Sequence, residues 1–302
     1  MAYALATVKL QNEPTACIEV EGVYYPIAAA AKRYKIAGLG GALIDIMADW
    51  AGTRRKLDAL AKKCAEGRMT GVPAAKAKLL APLLYPRKVL CAGANYYDHI
   101  AEMGVVDTRK EAQRLFFFFK PPRTAVVGPG KTVKKPRHSR MLDWEVELAA
   151  VIGKRAKDVA EKDALGVIAA YTVAIDLSAR DLNSVPDSFF KLDWVAGKGQ
   201  DTGCPMGPKL VPAAFLKDPQ DLAIKLMVNG AIKQNARTSG MIFSIREQIA
   251  HLSKIMTLEP GDVVLTGTPA GVGFPKKTFL DVGDRVDAEI EGIGRLSVEI
   301  GQ

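Results

Sequence analysis

No apolar run in this 302-residue chain is long enough to cross a bilayer as a helix. The opening stretch, MAYALATVKLQNEPTACIEVEG, breaks its apolar residues with glutamate and lysine, so no secretion signal is expected. Cysteine is scarce: Cys17, Cys64, Cys91 and Cys204 lie far apart, and no C-x-x-C pair occurs. That spacing argues against a zinc knuckle and a disulfide-built scaffold, and it suits a reducing cytoplasm. Histidine is scarcer still, with His99, His138 and His251 alone. The chain also lacks a G-x-G-x-x-G run and any regular alternation of strand and helix, which argues against a doubly wound nucleotide fold. It has no zinc finger, no RNP-like aromatic motif and no basic heptad region, so its net charge of +9 comes without a nucleic-acid-binding motif. Apart from KTVKKPRHSR at 131–140 the basic residues are scattered. They read as a solvated basic surface, or as a positive field that draws in small anions. The expected partner is therefore a small anionic substrate, with neither nucleic acid nor membrane.

What is present divides into two stretches. AYALATVKL, ACIEVEG and VYYPI suit short strands joined by polar turns. From Ala28 to about Gly67 apolar residues recur three and four apart, as in ALIDIMADW and RRKLDALAKKCAEG, which predicts helix. GVPAAKAKLLAPLLYPRKV is a Pro-rich connector, and a boundary near 80–87 separates a small N-terminal α/β domain (1–85) from a larger domain (86–302). The larger part is rich in predicted strands: KVLCAG, RTAVVG, VELAAVIG, YTVAID, AIKLMVNG, DVVLTG and RVDAEIEGIGRLSVEI. One clear helix, SIREQIAHLSKIM at 244–256, interrupts them. The fold class is α+β, dominated by β.

RMLDWEVELAAVIG carries the most chemistry. Strand side chains alternate faces, so Asp143, Glu145 and Glu147 project to one side and Trp144, Val146 and Leu148 to the other. An E-x-E stretch alone reads equally as an exposed acidic edge. The continuation AAVIG is apolar on both faces, however, which buries the strand end and leaves the carboxylates in need of a compensating charge. Mg²⁺ or Mn²⁺, with its preference for oxygen, would supply one. Asp176 closes the apolar strand of YTVAIDLSARDLN. Alone it reads as a helix N-cap; beside Glu145 and Glu147 it completes a three-carboxylate site with open positions. Arg180, one turn on, is placed to pair with a carboxylate.

In NYYDHIAEMG, His99 and Glu102 stand three apart on a short predicted helix and share a face. They are either a surface pair or a general base with its orienting carboxylate. His138 lies in a basic loop, and His251 in the 244–256 helix reads as structural. Lys198, between Gly197 and Gly199, reads as a loop lysine or as a cation held close to a ligand. The loop Gly267-Thr268-Pro269-Ala270-Gly271-Val272-Gly273 is a tight turn, or a set of N–H groups and a hydroxyl able to bind a carboxylate. The polar stretch from Met103 to Leu115 leads into FFFF and reads as a lid or as a surface loop.

The order of these pieces is more specific than any one of them. From about residue 87 onward the chain resembles the fumarylacetoacetate hydrolase superfamily through NYYDHIAEMG, FFFFKPPRTAVVGPG, DWEVELAAVIG, AIDLSARDLN, GKGQDTGCPMGP, VNGAIKQNARTSGMIFS and LTGTPAGVG. It resembles the acylpyruvase and fumarylpyruvate hydrolase-like bacterial members that carry an extra N-terminal domain. The resemblance implies a β-roll or sandwich, a homodimer, and Mg²⁺ or Mn²⁺ held by Glu145, Glu147 and Asp176. It implies a water-activating dyad of His99 and Glu102, with Lys198 and Arg180 stabilising negative charge. Thr268, Lys120, Asn183 and Gly267 become candidate substrate contacts. The implied reaction is hydrolysis of a C–C bond in a 2,4-dioxo acid such as an acylpyruvate, of the kind met in aromatic catabolism. Decarboxylation, hydration or isomerisation of a 2-oxo acid is the alternative on the same scaffold. Two departures fall near the substrate: Asn183 stands where relatives often carry glutamine, and the glycine-lysine loop continues as GKGQDTG, with Gln200 in place of phenylalanine.

Overall fold

A computed structural model describes all residues, Met1–Gln302. The chain opens as a meander of β1 (Ala4–Leu10), β2 (Glu13–Val20) and β3 (Val23–Pro26). Gln11, Asn12, Glu21 and Gly22 at its two turns all take positive φ. That is the geometry of two-residue hairpin loops that match the strand twist. Helices α1 (Ile27–Arg33), α2 (Leu43–Ala48) and α3 (Trp50–Glu66) follow, so the helical stretch expected over 28–67 is broken twice. Between α1 and α2 the chain turns at Gly38 and Gly41, and before α3 Asp49 caps the helix by accepting the Gly52 N–H. Leu57, Leu60, Ala61 and Cys64 bury one face of α3, the spacing of an amphipathic helix.

β4 (Val72–Pro73) leads to β5 (Val89–Ala92), α4 (Tyr97–Glu102), β6 (Phe117–Lys120), β7 (Val126–Val127), β8 (Thr132–Lys134) and β9 (Leu142–Asp143). β10 (Val146–Ile152), β11 (Ile168–Ile175) and β12 (Ser178–Ala179) come next, then α5 (Arg180–Asn183), α6 (Trp194–Lys198) and β13 (Cys204–Pro212). The chain ends with β14 (Ala223–Val228), β15 (Ala231–Arg237), α7 (Ile245–Ile255), β16 (Val263–Leu265), β17 (Arg285–Ile290) and β18 (Gly294–Gly301). The fold is α+β and β-dominated.

An eleven-stranded sheet runs in the order β4-β3-β2-β1-β13-β11-β10-β16-β5-β6, with β7 beside β13. β1 joins β13 with Leu5 opposite Leu210, and Lys209 pairs with Glu19 at 2.8 Å. One sheet therefore runs through both segments of the chain. A second sheet, β15-β14-β17-β18-β8, packs on one face of the first, and β9 and β12 form a separate pair. Every residue of β10 is buried. Val146, Leu148, Ala150 and Ile152 enter the core between the two sheets, while Ala149 and Val151 join the layer that contains Leu57 and Leu60 of α3. A strand covered on both faces reads as a continuous apolar run, as AAVIG does. The helix expected at 244–256 is α7, and its N-terminus is a capping box in which Ser244 and Glu247 each satisfy the other's backbone N–H. No helix is long and apolar enough to cross a membrane.

Candidate active site

Two neighbouring antiparallel strands bring the acidic residues together. Glu147 lies opposite Ala174 in the β10–β11 ladder, and the Asp176 N–H donates to the Glu145 carbonyl at 2.8 Å. Trp144, Val146 and Leu148 enter the inter-sheet core, so by alternation Glu145 and Glu147 turn to the opposite face. There one oxygen from each of Glu145, Glu147 and Asp176 lies within 4.8 Å of the others, and all three residues are buried.

Three cations surround this cluster. Lys198 Nζ bridges Glu145 Oε2 and Asp176 Oδ2 at 2.7 Å each. Lys120 Nζ stands 2.7 Å from the other Asp176 oxygen and donates to the carbonyls of Leu177 and Lys198. Arg180 forks between Glu145 Oε1 at 2.5 Å and Asp143 Oδ2 at 2.9 Å. Burial pushes the Glu145 carboxyl up, but Lys198 and Arg180 outweigh it and hold the group at about 2. Burial disfavours the Lys198 ammonium, yet Asp176 and Glu145 more than offset this and keep the lysine charged. Asp143 is raised by burial despite the opposing Arg180.

Four buried carboxylates thus face three cations, and Glu147 is the one left without a counterion. Its Oε2 accepts the Gly267 N–H at 2.6 Å, while its Oε1 is buried with no hydrogen-bond partner. Burial, followed by the charges of Asp176 and Glu145, drives its pKa well above the ordinary carboxylate value. An orphaned carboxylate oxygen inside an all-oxygen donor set, with one negative charge uncompensated, fits a hard divalent cation.

On α4, His99 Nδ1 stands 2.9 Å from Glu102 Oε1. Glu102 is itself fixed, accepting the Gly271 N–H at 2.9 Å and the Val272 N–H at 3.4 Å. The 267–273 loop is neither a bare turn nor a set of N–H groups left free for a ligand carboxylate. Its amides hold the protein's own carboxylates instead: Gly267 donates to Glu147, Gly271 and Val272 to Glu102, and Gly273 to Asp143 at 2.6 Å. The loop is thereby the clamp between the carboxylate cluster and the His99–Glu102 pair. Gly267 takes φ +100°, and a Cβ there would lie 2.7 Å from that of Asn95, so both conformation and space demand glycine.

His99, Glu145, Arg180, Asn183, Lys198 and Thr268 all line one cavity of about 340 Å³. Its far wall is aromatic: Trp194 stacks on Phe118 with centroids 5.2 Å apart and leans on Phe116 at 4.8 Å. Met103, Val105, Gln113 and Arg114, from the polar 103–115 stretch, complete the lining. That stretch is tied down by Lys110, 2.5 Å from Glu247 at the start of α7.

Two candidate substrate contacts sit one layer back from the cavity. Lys120 is wholly buried, ion-paired with Asp176 and donating to the Leu177 and Lys198 carbonyls; Gly267 is behind Glu147. Thr268 lines the cavity, but its hydroxyl already donates to the Val146 carbonyl at 2.9 Å and accepts from Gln234 at 2.8 Å. Asn183 donates to the Asp193 carbonyl at 3.0 Å. Gly197 serves this contact, since a Cβ there would stand 2.4 Å from that of Asn183; the close approach is between α5 and α6, not to a ligand. His251 stacks on Phe117 away from the dyad.

The sequence reading gave no role to Asp143, which anchors Arg180, or to Gln234, which binds the Val146 N–H, the Thr268 hydroxyl and the Pro269 carbonyl. Asp143 shares the spacing of Glu145 and Glu147, a usable signal. Gln234 sits among polar residues of an exposed strand and gave none.

The family model described as fumarylacetoacetate (FAA) hydrolase C-terminal matches residues 88–300. The chain belongs to the fumarylacetoacetate hydrolase family. Within that family it is 42% identical over 221 residues to the mitochondrial oxaloacetate tautomerase of Xenopus laevis, covering 72% of this chain and 67% of the relative. The fumarylacetoacetate hydrolase from psychrophilic Exiguobacterium antarcticum superimposes with a TM-score of 0.76 at 30% identity, over 99% of both chains. The Pseudomonas aeruginosa fumarylpyruvate hydrolase, solved with Mn²⁺ and pyruvate, gives 0.65 at 33% identity over 78% of this chain and 93% of that one. This family member therefore has relatives with more than one chemistry.

Proposed function

We propose that the protein is a divalent-metal-dependent enzyme that interconverts the keto and enol forms of a small 2-oxo acid. The observation that carries this reading is a juxtaposition on one cavity. A carboxylate cluster with an orphaned oxygen, an ammonium kept charged and a histidine held through one ring nitrogen all face the same space.

A divalent cation held by Glu145, Glu147 and Asp176 would supply a Lewis acid for the 2-oxo group. Lys198 places positive charge beside the oxyanion that develops there. Glu102 fixes the His99 ring through Nδ1, leaving Nε2 without a protein hydrogen bond. Nε2 takes a proton from C3; the electron pair forms the C2–C3 double bond, and the carbonyl becomes C2–O⁻. Return of the proton to oxygen or to carbon completes the interconversion, with nothing consumed. Phe116, Phe118 and Trp194 line the same cavity with apolar surface. Similarity to an oxaloacetate tautomerase supports this choice of reaction.

A second reading is hydrolysis of a C–C bond in a 2,4-dioxo acid. The oriented His99–Glu102 pair favours it, as does likeness to a fumarylpyruvate hydrolase. In that case His99 takes its proton from water, hydroxide adds at C4, and the C3–C4 bond breaks to release the pyruvate enolate.

One assay separates the readings. Protein loaded with Mg²⁺ or Mn²⁺ is given enol oxaloacetate and, separately, acetylpyruvate, with enol absorbance followed and products weighed. Faster loss of the enol without new products supports tautomerisation. Equal amounts of acetate and pyruvate from acetylpyruvate support hydrolysis. Inactivity on both substrates with both metals refutes both.

A further inference from the structure

The proposed reaction uses the carboxylate cluster, Lys198 and His99; the same cavity is also lined by a cation with no assigned role. Four side chains that carry or can carry positive charge line the space: His99, Arg114, Arg180 and Lys198. Three are committed within the protein. His99 pairs with Glu102, Arg180 with Asp143 and Glu145, and Lys198 with Glu145 and Asp176. The remaining polar lining is committed as well. Thr268 is bound to Val146 and Gln234, Asn183 to Asp193, and Gln113 donates to the Asp107 carbonyl at 2.6 Å.

Arg114 alone has no ion pair and no hydrogen bond to the rest of the chain, so its guanidinium keeps its full donor capacity. It follows a stretch anchored by the Lys110–Glu247 pair and precedes β6, which hydrogen-bonds to β5 within the large sheet. Both sides of the residue are thus held against the body of the protein. Arg114 is exposed, and it shares the cavity lining with the aromatic side chains of Phe116, Phe118 and Trp194. A free planar fork of N–H donors in that lining is matched to a carboxylate.

We propose that Arg114 is a specificity-determining residue that binds a second carboxylate of the substrate, so that the cavity selects short 2-oxo dicarboxylates over 2-oxo monocarboxylates. This rests on the reading above that the 2-oxo carboxylate end lies at the acidic cluster. The two ends then divide the work: the cluster and His99 act on C2 and C3, and Arg114 sets which chain reaches them.

The test compares oxaloacetate with 2-oxobutyrate, which lacks the second carboxylate, on Mn²⁺-loaded wild type, Arg114→Met and Arg114→Lys. Exchange of the C3 protons in deuterated water, followed by NMR, reports enolisation for both substrates. A charge-assisted hydrogen bond to a carboxylate predicts that Arg114→Met lowers the kcat/KM ratio of oxaloacetate over 2-oxobutyrate about ten- to a hundredfold, mainly through KM. Arg114→Lys should recover part of that ratio. If Arg114 merely braces the loop, both substrates suffer alike and the ratio stays put, which overturns the proposal. Should wild type exchange neither substrate, the reaction reading fails. Competition against Mn²⁺-dependent oxalate binding then decides about Arg114, whose loss must still weaken oxaloacetate by the same factor. Equal competition by oxaloacetate in wild type and variant would overturn the assignment.

Discussion

Replacing Glu147 by glutamine should separate the metal's contribution to stability from the cluster's own repulsion. Glu147 has one oxygen on the Gly267 N–H and one buried with no partner. A cation that binds the folded chain alone, at a hundred- to a thousandfold its Kd, adds about 2.7–4.1 kcal/mol. An unfolding entropy of about 2.1 cal/mol/K per residue gives this 302-residue chain about 0.6 kcal/mol/K, so the gain is about 4–7 °C in Tm. In chelator the sign reverses for this residue. Its folded-state pKa is raised above the ordinary 4.5, so its contribution is full below that value and is lost as pH climbs toward the folded value. The metal-free wild type should therefore lose stability through this group as pH rises above about 4.5. Glu147→Gln, uncharged throughout, should melt at or above the wild type in chelator at pH 7. It should melt below the wild type in excess Mn²⁺, because a ligand is missing. Scanning calorimetry of both proteins with EDTA and with Mn²⁺ shows whether the two orders cross. Equal metal-induced shifts in wild type and variant would refute the assignment of Glu147 as a ligand, and no shift in either would refute the metal site.

Further outcomes follow from the same geometry. His99→Ala should lower turnover about a hundred- to ten-thousandfold while oxalate still binds in the presence of Mn²⁺, as titration calorimetry would show; Glu102→Gln should do less, since the ring keeps a hydrogen-bonding neighbour. Arg180→Met strips buried Asp143 of its counterion and leaves Glu145 with Lys198 alone, and should cost about 3–5 kcal/mol in urea unfolding of the metal-free protein. Arg180→Lys should recover little of this, because an ammonium cannot span both. All four cysteines are buried, and burial pushes Cys64 to about 11 and Cys17 and Cys204 to about 12. At pH 8 about a thousandth or less of each thiol is ionised, so a thiol reagent should label none in the native protein and all four after unfolding. Rapid labelling of the native form would contradict the burial.

Local pattern revealed those parts of the protein that obey a short-range rule. The same-side spacing of Glu145 and Glu147 follows from strand alternation, and α7 follows from its apolar period. His99 and Glu102 share a face of α4 because they stand three apart. Asp143 obeyed the same alternation, and its role in anchoring Arg180 was within reach of that argument. Gly38 and Gly41, which split the helical stretch, were equally visible in the chain but weaker than the apolar period around them.

Tertiary structure alone decided how charge is distributed. Lys120, Lys198 and Arg180 come from three separate segments, and nothing local predicts that three cations would leave Glu147 unpaired. The 267–273 loop is a run of donors in sequence, but packing spends those donors on Glu147, Glu102 and Asp143 instead of a ligand. Gly197 makes room for Asn183 from another helix. The sequence by itself determined the β-dominated class, the shared side of Glu145 and Glu147 and the pairing of His99 with Glu102, because these depend on backbone period and residue type. Which donors are already satisfied, and hence that Arg114 is the free cation of the cavity, was decided by the fold, because partnership in a buried site depends on residues far apart in the chain.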